Sequence, residues 1–139
     1  IAISSQYKYL GLTLTEHLEW DAAFGEICTK ANRALALLNH RTRACGGLAE
    51  STYSLLFRQS IIMCNACIWG HHKNKNNLLN IQINALRFLL GVGKTCPKAG
   101  LFGETGWVPF QMTIKFSILR FRKRIATLDA DRLTNQIFL

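Results

Sequence analysis

Proline, acidic residues and long apolar runs are all scarce in this chain, and each shortage removes a class of protein. There are 2 prolines in 139 residues and no low-complexity tract, which excludes a long disordered linker. The apolar runs "LALL" and "FLLGV" fall far short of the roughly 20 residues that span a membrane. The first residue is Ile1 rather than Met. No Lys- or Arg-led apolar segment with a small-residue cleavage site follows it, so no signal peptide is read. The abrupt opening on a strand suggests an excerpt from a longer polypeptide. The five cysteines, Cys28, Cys45, Cys64, Cys67 and Cys96, are odd in number. Without a secretory signal they read as reduced thiols of an intracellular protein, nuclear or cytoplasmic.

What is present defines the rest. Hydrophobic residues make up 49% of the chain, enough for a buried core in one domain or in the end of a larger one. Against 8 acidic residues stand 17 Lys and Arg, a formal net charge of +9. That balance points to a polyanion, with nucleic acid ahead of an anionic membrane surface. A basic protein whose charge is incidental is the plain alternative.

Residues 6–14 alternate. Tyr7, Tyr9, Gly11 and Thr13 would face one way, and Lys8, Leu10, Leu12 and Leu14 the other, as in a short strand or hairpin arm. Gly11 would sit where something approaches the backbone closely, and Thr15 could cap a helical turn starting at Glu16. From Trp20 the period lengthens. Trp20, Phe24, Ile27, Ala31, Leu35 and Leu38 mark one helix face, ended by "CGG" at 45–47. A second helix is expected from Glu50 to about Ile68, burying Tyr53, Leu56, Phe57, Ser60, Ile61, Cys64 and Ile68. After the polar turn "WGHHKNKNN", a third runs over Leu78–Leu90 and stops at Gly91. A short helix near Lys98–Phe102, a turn at Gly106 and a long last helix opened by Pro109 complete the pattern. In that last helix Phe110, Ile114, Ile118, Phe121, Ile125 and Leu128 form the inward stripe. "DADRLTNQIFL" would restart after an Asp cap.

Four pieces, taken in order, resemble a known family: "YKYLGLTLTEHLEW", "ICTKANRALALL", "NIQINALRFLLGV" and "TCPKAGLFGETGWVPF". Together they look like the region after the catalytic palm in reverse transcriptases of LINE-type (non-LTR) retrotransposons, jockey- and CR1-like. The ordered set is Tyr9-Leu10-Gly11 with Trp20, then Gln82, Arg87 and Gly91, then Pro97, Glu104, Gly106, Trp107 and Pro109. The resemblance implies a mainly α fold in three parts. Residues 1–14 would be the end of the palm, a primer-grip-like strand or hairpin remnant whose partner strands lie in the palm. Residues 15–91 would be a three-helix thumb-like bundle, and 92–139 a connector with a long basic C-terminal helix. It also implies partners: an RNA–DNA hybrid or primer–template duplex, and the upstream palm and fingers of the same polypeptide, with no membrane. Tyr9, Leu10 and Gly11 would hold the primer end, which must sit within a fraction of an ångström of the reacting metals.

The chemistry itself is not expected in this chain. Two-metal nucleotidyl transfer needs clustered carboxylates holding cations about 4 Å apart. The aspartates here are Asp21, Asp129 and Asp131, none adjacent, and a two-residue step on a helix turns them about 200° apart. No catalytic residue is assigned. Any Mg²⁺ would belong to the parent enzyme, and no cofactor is expected in the fragment.

The remaining candidates each have a plainer reading. "KFSILRFRKR" places Lys115, Arg120, Arg122, Lys123 and Arg124 among Phe116, Ile118, Leu119 and Phe121. Ile118 and Phe121 would face the core. Phe116 and Leu119 would emerge among the charges, against a neighbouring domain or stacked bases, with the cations on a phosphate backbone; a solvated basic face is the alternative. Lys30 and Arg33 share one side of the first helix and could touch phosphates, which would position without specifying sequence; pairing with Glu26 is the alternative. Cys64, Cys67 and His71, with Cys96 as a fourth ligand, have partial zinc spacing, but they lie in an apolar helical run and are read as small buried residues. Cys28 beside His17 or His40 lacks fixed geometry for a nucleophile. Trp107 is expected to plug a gap between helices, with Glu104 capping a helix start or pairing with Arg87. Two other functions stay open: a domesticated stand-alone nucleic-acid-binding module, and a helical protein-interaction domain.

Overall fold

The alternating stretch folds back on itself. In the computed structural model, which describes residues 5–9, 12–17, 19–61, 70 and 76–128, β1 (Gln6–Tyr9) pairs antiparallel with β2 (Leu12–Thr15), Tyr9 opposite Leu12. The first strand thus pairs with its own continuation. Only two residues separate the arms, so face parity reverses across the turn. Lys8 lies opposite Thr13 and Tyr7 opposite Leu14, where one continuous strand would have placed each pair on opposite faces. Among the described residues β1 has no second strand beside it.

The Glu16 N–H donates to the Ser5 carbonyl at 3.2 Å, extending the ladder by one bond. The Thr15 hydroxyl accepts from the Glu19 N–H at 2.9 Å. Thr15 thus secures the link between sheet and helix, and the helix begins later than Glu16. It is α1, Asp21–Ala44, with Phe24, Cys28, Ala31 and Leu35 buried on the face the spacing marks. Its C-terminus is closed by Gly46 at φ 74°, with Gly46 N–H on the Arg43 carbonyl at 3.2 Å and Gly47 N–H on the Thr42 carbonyl at 2.8 Å. A left-handed residue with this bond pair satisfies the last carbonyls, and glycine enters that region at least cost.

Next comes α2 (Glu50–Ile61). Tyr53 and Phe57 are fully enclosed, but Leu56, expected in the core, is 42% exposed. One residue is a 100° rotation on a helix, which carries Leu56 off the Tyr53–Phe57 line and into a groove against α1. The expected positions at Cys64 and Ile68, and the side chains of Ser60 and Ile61, lie outside the described residues. So does the final segment expected to restart after an Asp cap.

The most enclosed element is α3 (Asn76–Leu90), which packs on α1 and on the two helices that follow. Its Leu78, Ile81, Gln82, Ile83, Ala85 and Leu86 are all buried. It ends as α1 does, with Gly91 at φ 66° and the Val92 N–H on the Arg87 carbonyl at 3.1 Å. Then α4 (Lys98–Thr105) ends on Gly106 at φ 63°, and Pro109 caps α5 (Phe110–Ala126). Glu104 lies in the last turn of α4 and is exposed, so it caps no helix start. The Arg87 guanidinium donates instead to the Lys94 carbonyl at 2.8 Å, closing the loop between α3 and α4.

One core crosses residue 91, joining Phe24, Leu35, Phe57 and Leu86 to Leu101, Trp107, Phe110 and Ile114. Rings carry much of it. Tyr53 stacks on Phe88 at 5.9 Å, and Phe57 lies 5.8 Å from Trp107 and 5.6 Å from Phe110 between centroids. Trp107 fills the space between helices as expected. The core cluster stops at Ile118. Phe121, expected inside, is 42% exposed, although Ile125 one turn further on is buried as expected.

Candidate nucleic-acid interface

Gln82 sets the direction of α5. It is wholly buried in α3, where an amide must find partners or carry a desolvation penalty. Its Nε2 donates to the Val108 carbonyl at 2.9 Å, and its Oε1 accepts from the Phe110 N–H at 2.9 Å. Pro109 lies between these two and has no N–H to offer. The side chain therefore grips the backbone on both sides of Pro109 and satisfies the first donor of α5. A lone amide inside the apolar stripe of α3 was the available signal, but its partner is backbone, which leaves no trace in residue types.

From this anchor α5 turns Phe110 and Ile114 into the core and leaves its other faces outside. Lys115, Arg120, Arg122, Lys123 and Arg124 are all exposed, and no acidic residue occurs in the 17 positions of the helix. None of the five makes an ion pair among the described residues. Successive residues step 100° around the axis, so these cations spread over the outward half of the helix. Among the described residues no carboxylate pairs with them.

On α1, Lys30 and Arg33 are exposed on one side of the helix, but their setting differs. Lys30 Nζ lies 3.5 Å from Glu26 Oε2. Glu26 is itself held, its Oε1 accepting from the Thr13 hydroxyl at 2.8 Å. That bond, with help from Lys8 and Lys30, keeps the Glu26 carboxyl below its usual range despite some desolvation. The Glu26 link also ties β2 to α1. Arg33 has no such partner among the described residues.

Tyr9 stands in β1 opposite Leu12, while Leu10 and Gly11 lie outside the described residues, as do Cys64, Cys67 and His71. Among the described residues no three of His, Cys, Asp and Glu come together as a metal site. No helix among them is long and apolar enough to cross a membrane. Cys28 is buried against the core, and desolvation pushes its thiol pKa up, the reverse of what a nucleophile needs.

A second surface feature is apolar. A groove of about 330 Å³ between α1 and α2 is lined by Leu37, Leu38, Leu48 and Leu56, with Arg41 and Cys45 at its side. Searches of protein-family models, curated proteins and solved structures found no match to the chain. The functional reading rests on residues and geometry.

Proposed function

We propose that the chain holds a nucleic-acid duplex by its sugar–phosphate backbone, as the thumb and connector of a LINE-type reverse transcriptase. The observation that carries this reading is α5: five exposed cations in 17 residues without one acidic residue. Such a face suits closely spaced phosphates and releases their counterions on binding. The ordered residues from Tyr9 to Pro109 support the family, as does the sequence of elements, a hairpin leading into three helices, then a short helix and a basic one. The open side of β1 accords with a sheet continued by an upstream palm, which would supply the carboxylates and the Mg²⁺. An intracellular setting follows from the same reading. In it, these residues position the hybrid and perform no transfer.

The test is fluorescence anisotropy with a labelled RNA–DNA hybrid over a salt series. Binding should weaken by about 0.9 log units per neutralised phosphate for each log unit of salt, with little sequence preference. Affinity that ignores salt, or equal affinity for poly-glutamate, would overturn the reading. The apolar groove on α1 and α2 favours one other function, a protein-interaction domain. In that case Leu56→Arg would abolish partner binding while the salt-dependent hybrid binding is absent from the start.

A further inference from the structure

The side of α5 turned away from the core carries more than charge. Met112, Phe116 and Leu119 recur at steps of four and three and are 47%, 58% and 60% exposed. At 100° per residue they fall within about 60° of one another, on the side opposite Ile114, which is fully buried. Arg120 and Lys123 continue the same strip toward the C-terminus. The inward stripe of this helix is already used by the core, so an outward apolar strip marks a second contact.

Charge decides what kind of contact. With no carboxylate anywhere on the helix, the complementary surface is anionic. A duplex alone does not account for the strip, because its outer surface is sugar and phosphate and its base faces are shut inside the stack. Unpaired bases present open π faces beside their phosphates, the surface that aromatic side chains between cations take up. A membrane fits less well. An interfacial helix needs a broad apolar side, and here Arg120 and Lys123 interrupt a strip one side chain wide.

We propose that Phe116, flanked by Met112 and Leu119, is a stacking platform for unpaired bases, and that Lys115, Arg120 and Lys123 hold the phosphates of that strand. The inference rests on the nucleic-acid reading above and adds that the strand over α5 is single. Met112 and Leu119 lie about 10 Å apart along the axis, room for roughly three bases at about 3.4 Å each.

The test measures anisotropy of the full chain with a fluorescein-labelled oligothymidylate, with a blunt DNA duplex of equal length, and with vesicles of phosphatidylcholine and phosphatidylserine. Phe116→Ala should weaken oligothymidylate binding by roughly 5- to 100-fold, the range measured for removal of one aromatic–base stack. It should leave duplex binding within about twofold, because backbone contacts are unaffected. Phe116→Trp should restore the affinity, and its indole emission should be quenched on binding. The exposed position of Phe116 predicts an unchanged melting curve for both variants, which separates the effect from misfolding. If Phe116→Ala changes nothing, or weakens both nucleic acids alike, the platform is refuted while salt-dependent duplex binding leaves the earlier reading standing. Vesicle binding that Phe116→Ala abolishes, with no oligothymidylate binding, would make the strip a membrane contact and refute it. No binding to either nucleic acid refutes both readings.

Discussion

The exposed cations of α1 and those of α5 are not equivalent. On α1, Lys30 is matched by Glu26, which is in turn fixed by Thr13. On α5, five cations face solvent without a carboxylate on the helix. Formal charge is a property of composition, while the field available to a ligand depends on what each charge already faces. In this molecule Lys30 is engaged by the carboxylate that joins hairpin to helix, Arg33 on the same helix has no ion-pair partner among the described residues, and the α5 cations face outward together.

Several substitutions would break or sharpen this contrast. The largest effect is expected from replacing Lys115, Arg120 and Lys123 together with alanine. Hybrid binding at low salt should fall roughly 10- to 100-fold and the salt slope should drop by about 2 to 3, near one for each phosphate left without its cation. Lys30→Ala, measured beside it, should change affinity less than about threefold; equal losses from the two would erase the distinction. Second comes the attachment of α5. Gln82→Leu leaves the Val108 carbonyl and the Phe110 N–H without their partner, at about 1–3 kcal/mol for each buried group. A clearly lower melting temperature is expected, and an unchanged one would show that water replaces the amide. A smaller gain is expected from Glu26→Gln, which frees Lys30. Affinity should rise no more than about threefold, at the size of a single exposed pair. The smallest effect is in pH. Glu26 has a folded pKa below its unfolded value, so its contribution is present above about pH 4.3 and is lost as pH falls through the folded pKa. Amide resonances of β2 should shift over that acid range in the native protein and stay still in the Glu26→Gln variant.

The helices were legible because they repeat apolar residues at three- and four-residue steps, and α1, α3 and α4 end at glycines of positive φ. Gly46 and Gly91 stop α1 and α3 through one left-handed residue each. The hairpin was legible only as alternation. Folding at a two-residue turn keeps the alternation within each arm but exchanges the faces between arms, so Lys8 and Thr13 came out on the wrong sides. Leu56 and Phe121 were misplaced for other reasons: Leu56 lies 100° off the Tyr53–Phe57 line, and at Phe121 periodicity gives a direction but not how closely a neighbour covers it. At the candidate interface, Lys30 and Glu26 could be read from their spacing, but the hold of Thr13 on Glu26 could not, since it joins elements 13 residues apart. Phe116 and Leu119 stood out among the charges, whereas Met112 became part of their strip only once the inward side of α5 was known.

The grip on Pro109 pins the first turn of α5, while Ile114, Ile118 and Ile125 seat its inward side. Seventeen residues at about 1.5 Å each extend the helix roughly 25 Å, so a tilt of about 5° at the pin would swing the far tip by about 2 Å. Most of the basic side chains ride on that outer half. Their aim depends in part on a neutral amide outside the charged face, which a screen confined to charged surface positions would overlook.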